Sequence, residues 1–323
     1  MFASDPPALG RISDEALGTR PKLRRDDPVL RAVGNTPLLP LSRLARDLGG
    51  SFELYGKAEF LNPSGSVKDR AALAIVLGAL EDGSLTAERG LIDASSGNTA
   101  VAYAVLGARL GFPVTLCVPA NASPERIRRL EELGVTLILT DPIDGTDGAQ
   151  HEARALAEAN PAEFYYADQY NNPANPLGHY RTTGPEIWRQ SEGRITHLVA
   201  GVGTGGTISG TSRYLKERAP SLRTIGVEPD GPIHGIEGLK HIPTALRPST
   251  YQERWVDETW RVATEEAERT RLLLARREGL SVGRSAGAAV AAALAVGSAS
   301  PGSVLVAILP DSAREPHDRA DNA

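Results

Sequence analysis

Short apolar runs alternating with helix-patterned stretches, from residue 52 almost to the C-terminus, constrain this chain more than any other feature. The runs FELYGKAEF, GLIDAS, PVTLCVP, VTLILT, HLVAGVG, TIGVEP and VLVAILP are strand-like and largely apolar. A strand apolar throughout is covered on both faces, the condition of a parallel sheet between helices. Helical patterns cover 70–83, 99–110, 124–133, 149–159, 185–191, 208–218, 264–277 and 286–297. The stretch NNPANPLGHYRTTGP (171–185) interrupts the alternation with Pro, Gly and Asn, and marks the expected crossing between two α/β units. The expected fold class is α/β: two open, twisted, mostly parallel sheets with helices on both faces. The smaller unit is expected over 53–175 and the larger over 29–52 and 176–312, between an N-terminal arm (1–28) and a tail (313–323).

A chain of 323 residues is long enough to bury two sizeable cores. Its net charge of −5 gives no reason to expect nucleic acid or an anionic membrane as partner. No apolar run reaches the length of a membrane span. The six histidines are scattered without metal-ligand spacing, so no metal is expected. The single cysteine, Cys117, excludes an intramolecular disulfide and fits a reducing, cytoplasmic compartment. Its place in VTLCVP reads as a buried strand position rather than a nucleophile.

One lysine stands in the wrong place for a structural charge. NPSGSVKDR (62–70) puts Lys68 behind a Gly/Ser loop at the mouth of an apolar helix, where partial positive charge disfavours an ammonium. Only five of the 35 basic residues are lysines: Lys22, Lys57, Lys68, Lys216 and Lys240. A chain that uses arginine for plain charge and lysine here suggests an amine able to lose its proton and act as nucleophile or base. The plain alternative is a surface lysine paired with Asp69.

Three strand-to-helix turns are rich in glycine and hydroxyls: SSGNT (95–99), GVGTGGT (201–207) and GRSAG (283–287). Such turns at the carboxyl ends of parallel strands are where open α/β sheets bind ligands. The second matches G-x-G-x-x-G at Gly201, Gly203 and Gly206, with Glu228 downstream, so a dinucleotide-binding dehydrogenase is a rival reading. That reading leaves Lys68 and SSGNT unexplained. On either reading, backbone N–H groups at a helix N-terminus make a phosphate cradle. A phosphate cradle with an activated lysine suggests pyridoxal phosphate, anchored at one end and joined to Lys68 at the other.

The segments GNTPL (34–38), NPSGSVKDR, SSGNT, NPANP, HYRTTGPEIW (179–188), GVGTGGTISG and ILPDS, in this order, resemble the cysteine synthase and cystathionine β-synthase family of fold type II pyridoxal-phosphate enzymes. The resemblance spans roughly residues 30–312. It implies a tryptophan synthase β-like fold, with Lys68 as the cofactor-bearing catalytic residue and Asn98 at the ring hydroxyl. Gly203, Thr204, Gly205, Gly206 and Thr207 would wrap the phosphate, and Ser285 would meet the ring nitrogen. Ser95, Ser96, Thr99 and Gln169 would hold the substrate carboxylate. Ser95 and Ala100 replace the family's usual threonine and glycine, which leaves substrate preference open.

The resemblance implies β-replacement on O-acetylserine or O-phosphoserine through an α-aminoacrylate, with sulfide as the nucleophile giving L-cysteine. Homocysteine, or an amine giving a 2,3-diaminopropionate-type product, is the alternative. A simple cysteine synthase is the expectation, with no haem-binding Cys/His extension expected ahead of residue 30 and no regulatory module expected past the catalytic region. A homodimer, with a serine acetyltransferase as a further partner, belongs to the same expectation. Arg284 is expected to point away from the cofactor, whereas Lys240, His241 and Arg247 lie on a loop expected at the site's mouth.

Overall fold

Two sheets organise the computed structural model, which describes residues 27–313. Most of the expected arm and tail lie outside the described residues. The first elements are α1 (Pro28–Arg31), β1 (Leu38–Pro40), α2 (Ser42–Asp47) and β2 (Glu53–Ala58). Then come α3 (Lys68–Glu81), β3 (Gly90–Ala94), α4 (Asn98–Leu110), β4 (Val114–Pro119), α5 (Pro124–Glu132), β5 (Thr136–Thr140), α6 (Gly145–Ala159) and β6 (Phe164–Tyr166). Helices α7 (Ala174–Arg181) and α8 (Thr183–Gln190) precede β7 (His197–Gly201), α9 (Gly206–Lys216), β8 (Arg223–Pro229) and β9 (Glu258–Val262). The last are α10 (Thr264–Leu273), continued by a π-helical turn at Leu274–Glu278, then α11 (Arg284–Ala299) and β10 (Val304–Leu309).

The smaller sheet has the order β5–β4–β3–β6 and is parallel throughout. The larger has the order β1–β2–β10–β7–β8–β9, parallel except where β1 runs against β2. The expected fold class holds. The expected boundary at residue 53 does not match the sheets: β2 lies in the larger one, paired from Glu53↔Val304 to Ala58↔Leu309. That pairing joins segments some 250 residues apart, so no local pattern signals it. The expected crossing at 171–185 is largely helical, because Pro173 sits just before α7, Pro176 and Pro185 fall in the first turns of α7 and α8, and Gly178 and Gly184 allow close packing.

Period-two alternation explains why the strands are apolar throughout. In β10, Leu305, Ala307 and Leu309 face a core with α11, whereas Val306 and Ile308 face one with α8 and α9. In the smaller sheet, Leu91, Val114 and Leu116 pack under α3 and α4, while Ile92, Ala94 and Cys117 pack under α6. Cys117 is fully buried, and burial pushes its thiol up to about 12. It is a strand cysteine. Among the described residues, no helix is long and apolar enough to cross a membrane.

Candidate active site

Strand β3 ends in the turn at Ser95, β7 in the loop at Gly203, and β10 in Pro310 and Asp311. Residues from all three ends border a cavity of ≈ 330 Å³ or a smaller adjoining one of ≈ 40 Å³. Lys68, Asn98, Gly203 and Thr204 border both. Ser95, Ser96, Thr99 and Gln169 border the larger, and Gly205, Thr207 and Ser285 the smaller. Gly206 borders neither; it opens α9, with its Cα against the side chain of Asn175.

Lys68 is the first residue of α3, whose N-cap, Val67, makes no side-chain cap; the Ser66 hydroxyl accepts from the Lys68 N–H (3.2 Å). Asp69 does not pair with it: the Asp69 carboxylate turns back to accept from the Ser64 backbone N–H (2.7 Å) and hydroxyl. Burial holds the Lys68 amine below the ordinary lysine value, and the Asp311 carboxylate pulls in the opposite direction. Below this turn lies a buried ion network. Arg70 Nε meets Glu59 (2.6 Å), Arg70 Nη2 meets Glu186 (2.7 Å), and Lys57 Nζ meets Glu186 (2.7 Å). Burial raises the Glu59 carboxyl, but the charge and hydrogen bonds of Arg70, with the Lys57 charge and the Thr36 hydroxyl, together more than offset this and leave it at about 2. The network fastens the start of α3 to β2 and α8.

The Gly203–Thr207 loop has to be glycine-rich because of what lies behind it. A Cβ on Gly203 would strike the Gly238 carbonyl, and one on Gly205, at φ +81°, would lie 2.6 Å from the Tyr251 Cα. Helices α4 and α9 both begin at the cavities with a glycine N-cap, Gly97 and Gly205, that has no side chain to cap with, and without an acidic residue in the first turn. Each leaves backbone N–H groups suited to an anion. This donor set, with the hydroxyls of Thr204 and Thr207 and the amine of Lys68, fits a phosphate-bearing aldehyde. His179 supports Thr207 from behind, with Nε2 3.2 Å from Thr207 Oγ1 and Nδ1 2.8 Å from Thr183 Oγ1. Burial, helped by the Arg70 charge, pushes His179 down to about 3, so it is a neutral imidazole.

On the other wall, Thr99 Oγ1 donates to Gln169 Oε1 (2.7 Å), and Gln169 Nε2 donates to the Ala94 carbonyl (3.1 Å). Asp93 accepts from the Ala94 and Gln169 backbone N–H groups at 2.8 and 3.2 Å. Its carboxyl is fully buried and is raised to about 7 by that burial.

Sequence reasoning did not assign Asp311, His179 or Asn175. Their signal was available in ILPDS, HYRTTGPEIW and NPANP, which resembled the family without receiving a role. Asp311 accepts from Asn98 Nδ2 (2.7 Å), and its other oxygen lies 3.5 Å from Ser285 Oγ. Arg284 points away from the cavities into an ion pair with Glu268 (2.9 Å). Of the three basic residues on the mouth loop, Lys240 borders the larger cavity, 3.4 Å from Asp147 and over the Tyr170 ring. His241 bonds Thr244 and Arg247 pairs with Glu253 instead.

Comparison with known proteins agrees with this geometry. Residues 29–311 match the family model described as pyridoxal-phosphate dependent enzyme. The chain is 48% identical over 271 residues to a cysteine synthase of Aquifex aeolicus, covering 84% of this chain and 83% of that one. It is 36% identical to an O-acetylserine dependent cystathionine beta-synthase of Bacillus subtilis, covering 88% and 94%. A crystal structure of cysteine synthase from Entamoeba histolytica superposes with a TM-score of 0.86 at 30% identity, covering 94% of each chain. A lysine opening a buried helix, two uncapped helix ends in one cleft and this similarity along nearly the whole chain have one explanation: the chain belongs to the cysteine synthase and cystathionine β-synthase family of pyridoxal-phosphate dependent enzymes.

Proposed function

We propose that this enzyme replaces the β-substituent of an activated L-serine, O-acetyl-L-serine or O-phospho-L-serine, with hydrosulfide to give L-cysteine and acetate or phosphate. The observation that carries the reading is a pKa-lowered lysine in one cavity system with two uncapped helix N-termini. The α9 end, with Thr204 and Thr207, holds the cofactor phosphate, and the α4 end, with Ser95, Ser96, Thr99 and Gln169, holds the substrate carboxylate. Asn98 faces the ring hydroxyl and Ser285 the ring nitrogen. When bound, the cofactor supplies an electron sink for the pair released from the substrate Cα–H bond. Lys68 carries the cofactor between turnovers and, once displaced, takes the α-proton on Nζ, which its lowered pKa leaves able to accept. Asp311 then faces the ammonium so formed.

A larger nucleophile is the second reading. The wall of the larger cavity carries Arg126 and Lys240, cations able to meet a nucleophile bearing its own carboxylate, and the Bacillus subtilis relative is named for cystathionine synthesis. The choice is tested by loading the holoenzyme with each donor, following its absorbance, and adding sulfide, homocysteine or an amine in turn. The nucleophile that restores the resting spectrum fastest is the substrate. A homodimer, a serine acetyltransferase partner and a cytoplasmic location belong to the same proposal, and light scattering tests the first.

A further inference from the structure

We infer that Asn175 is a positioning residue that ties the phosphate-binding loop to the substrate-carboxylate wall, so that cofactor and amino acid are held by one strut. The inference rests on the roles proposed above for Thr204 and Gln169. Asn175 is the second residue of α7 and is 1% exposed. Its Nδ2 donates to the Gln169 backbone carbonyl (2.7 Å) and to Thr204 Oγ1 (3.2 Å). The orientation of the amide follows from chemistry: the Gln169 carbonyl can only accept, so the NH2 end must face it.

The consequence at Thr204 is directional. Its hydroxyl oxygen accepts from Asn175 Nδ2 and, at 3.4 Å, from the Gly206 N–H. With both lone pairs engaged, the remaining O–H points away from these donors, toward the cavity that Thr204 borders. Asn175 therefore makes Thr204 a donor to an anion. At Gln169 the same NH2 group completes a set of bonds. The backbone N–H of Gln169 is held by Asp93, its Oε1 by Thr99 and its Nε2 by the Ala94 carbonyl. One N–H of that Nε2 is left for a ligand carboxylate.

A second contact follows the same path: Thr250 Oγ1 lies 2.9 Å from the Tyr170 carbonyl and 2.6 Å from the Thr204 carbonyl. The close approach also explains Gly206, whose Cβ, if present, would overlap Asn175 Oδ1. Asn175 Oδ1 is buried with no partner. The side chain is kept for its two donors rather than for complete hydrogen bonding.

The test uses holoenzyme and two readouts. One is the cofactor dissociation constant, from absorbance retained on dilution. The other is the donor dissociation constant, from the spectral change with O-acetyl-L-serine or O-phospho-L-serine in the absence of nucleophile. In Asn175→Ala both should weaken by about ten-fold, the effect of one lost hydrogen bond at each end. Thr207→Ala should weaken the cofactor alone, and Thr99→Ala the donor alone. Should Asn175→Ala fail to fold, Asn175→Asp carries the same two expectations, since it keeps the volume, sets an acceptor against the Gln169 carbonyl and draws the Thr204 O–H away from the anion. An Asn175 variant that moves only one constant, or neither, overturns the strut. If the wild type keeps its cofactor but responds to no donor, the proposed function is at fault. Cofactor retention in the variants then judges the strut's phosphate-loop end, and an unchanged value overturns it.

Discussion

Asn98 donates to the Asp311 carboxylate over 2.7 Å, joining the first turn of α4 to the residue two beyond β10. This contact brings the two sheets together at the cavity, and it places a carboxylate beside Lys68. Burial lowers the Lys68 pKa and Asp311 raises it, so Asp311 opposes the effect that frees the amine. Asp311→Asn should therefore move Lys68 further down. In apoprotein, the pH midpoint of Lys68 labelling by an amine-selective reagent should lie below the ordinary lysine value, and lower still in the variant. A midpoint that rises in Asp311→Asn contradicts the assignment.

Gly205 tests whether the loop holds the cofactor. Its φ of +81° costs any other residue about 1–2 kcal/mol, and a side chain would meet the Tyr251 backbone. Gly205→Asp adds a carboxylate near the phosphate site. Cofactor affinity should fall at least 100-fold by fluorescence titration, while Gly205→Ala loses less. Equal cofactor occupancy in wild type and Gly205→Asp would reduce the loop to a packing turn.

Much of this was legible in the sequence. The strands β3, β4, β7, β8 and β10 are apolar runs because helices cover both faces of each. Lys68 stood out because an ammonium at a helix N-terminus needs a reason. The edge strand β9 (ETWRV) went unread because its charged residues face outward and break the apolar run. Strand β6 is three residues long, too short for a period. Helix α7 was hidden because NPANP and its glycine carry turn chemistry. In the fold, Pro173 lies before the first turn and Gly178 allows contact with α3. Asp311, His179 and Asn175 each also bond a partner distant in sequence, Asn98, Thr207 and Thr204, which no spacing rule reveals.

The buried ion network gives a stability prediction. Glu186→Gln leaves Lys57 and Arg70 facing a neutral group, with Lys57 fully buried. Breaking a buried pair in this way costs about 3–5 kcal/mol, read as a lower denaturant midpoint. Breaking the exposed pair of Arg126 and Glu237 should cost under about 1 kcal/mol. Similar losses in the two variants would mean that the network contributes no more than a surface pair.

Asp93 predicts a pH dependence. Burial raises its carboxyl from 3.8 to about 7, so folding favours the protonated form. The associated stability is fully present below pH 3.8 and is lost as pH rises to about 7, by at most roughly 4 kcal/mol. Asp93→Asn cannot titrate. Between these pH values the wild type should lose stability relative to the variant, as read by urea denaturation. Parallel stability curves would contradict a buried, pKa-raised Asp93.

The most direct test of the account is cysteine formation by holoenzyme supplied with O-acetyl-L-serine or O-phospho-L-serine and sulfide, compared with Lys68→Ala loaded with the same cofactor. The account predicts a yellow wild-type protein that forms L-cysteine from at least one donor. It predicts a variant that has lost the lysine-bound absorbance and at least 1000-fold of the activity, about 4 kcal/mol of transition-state stabilisation. A Lys68→Ala protein that still makes cysteine at a rate near the wild type would contradict it.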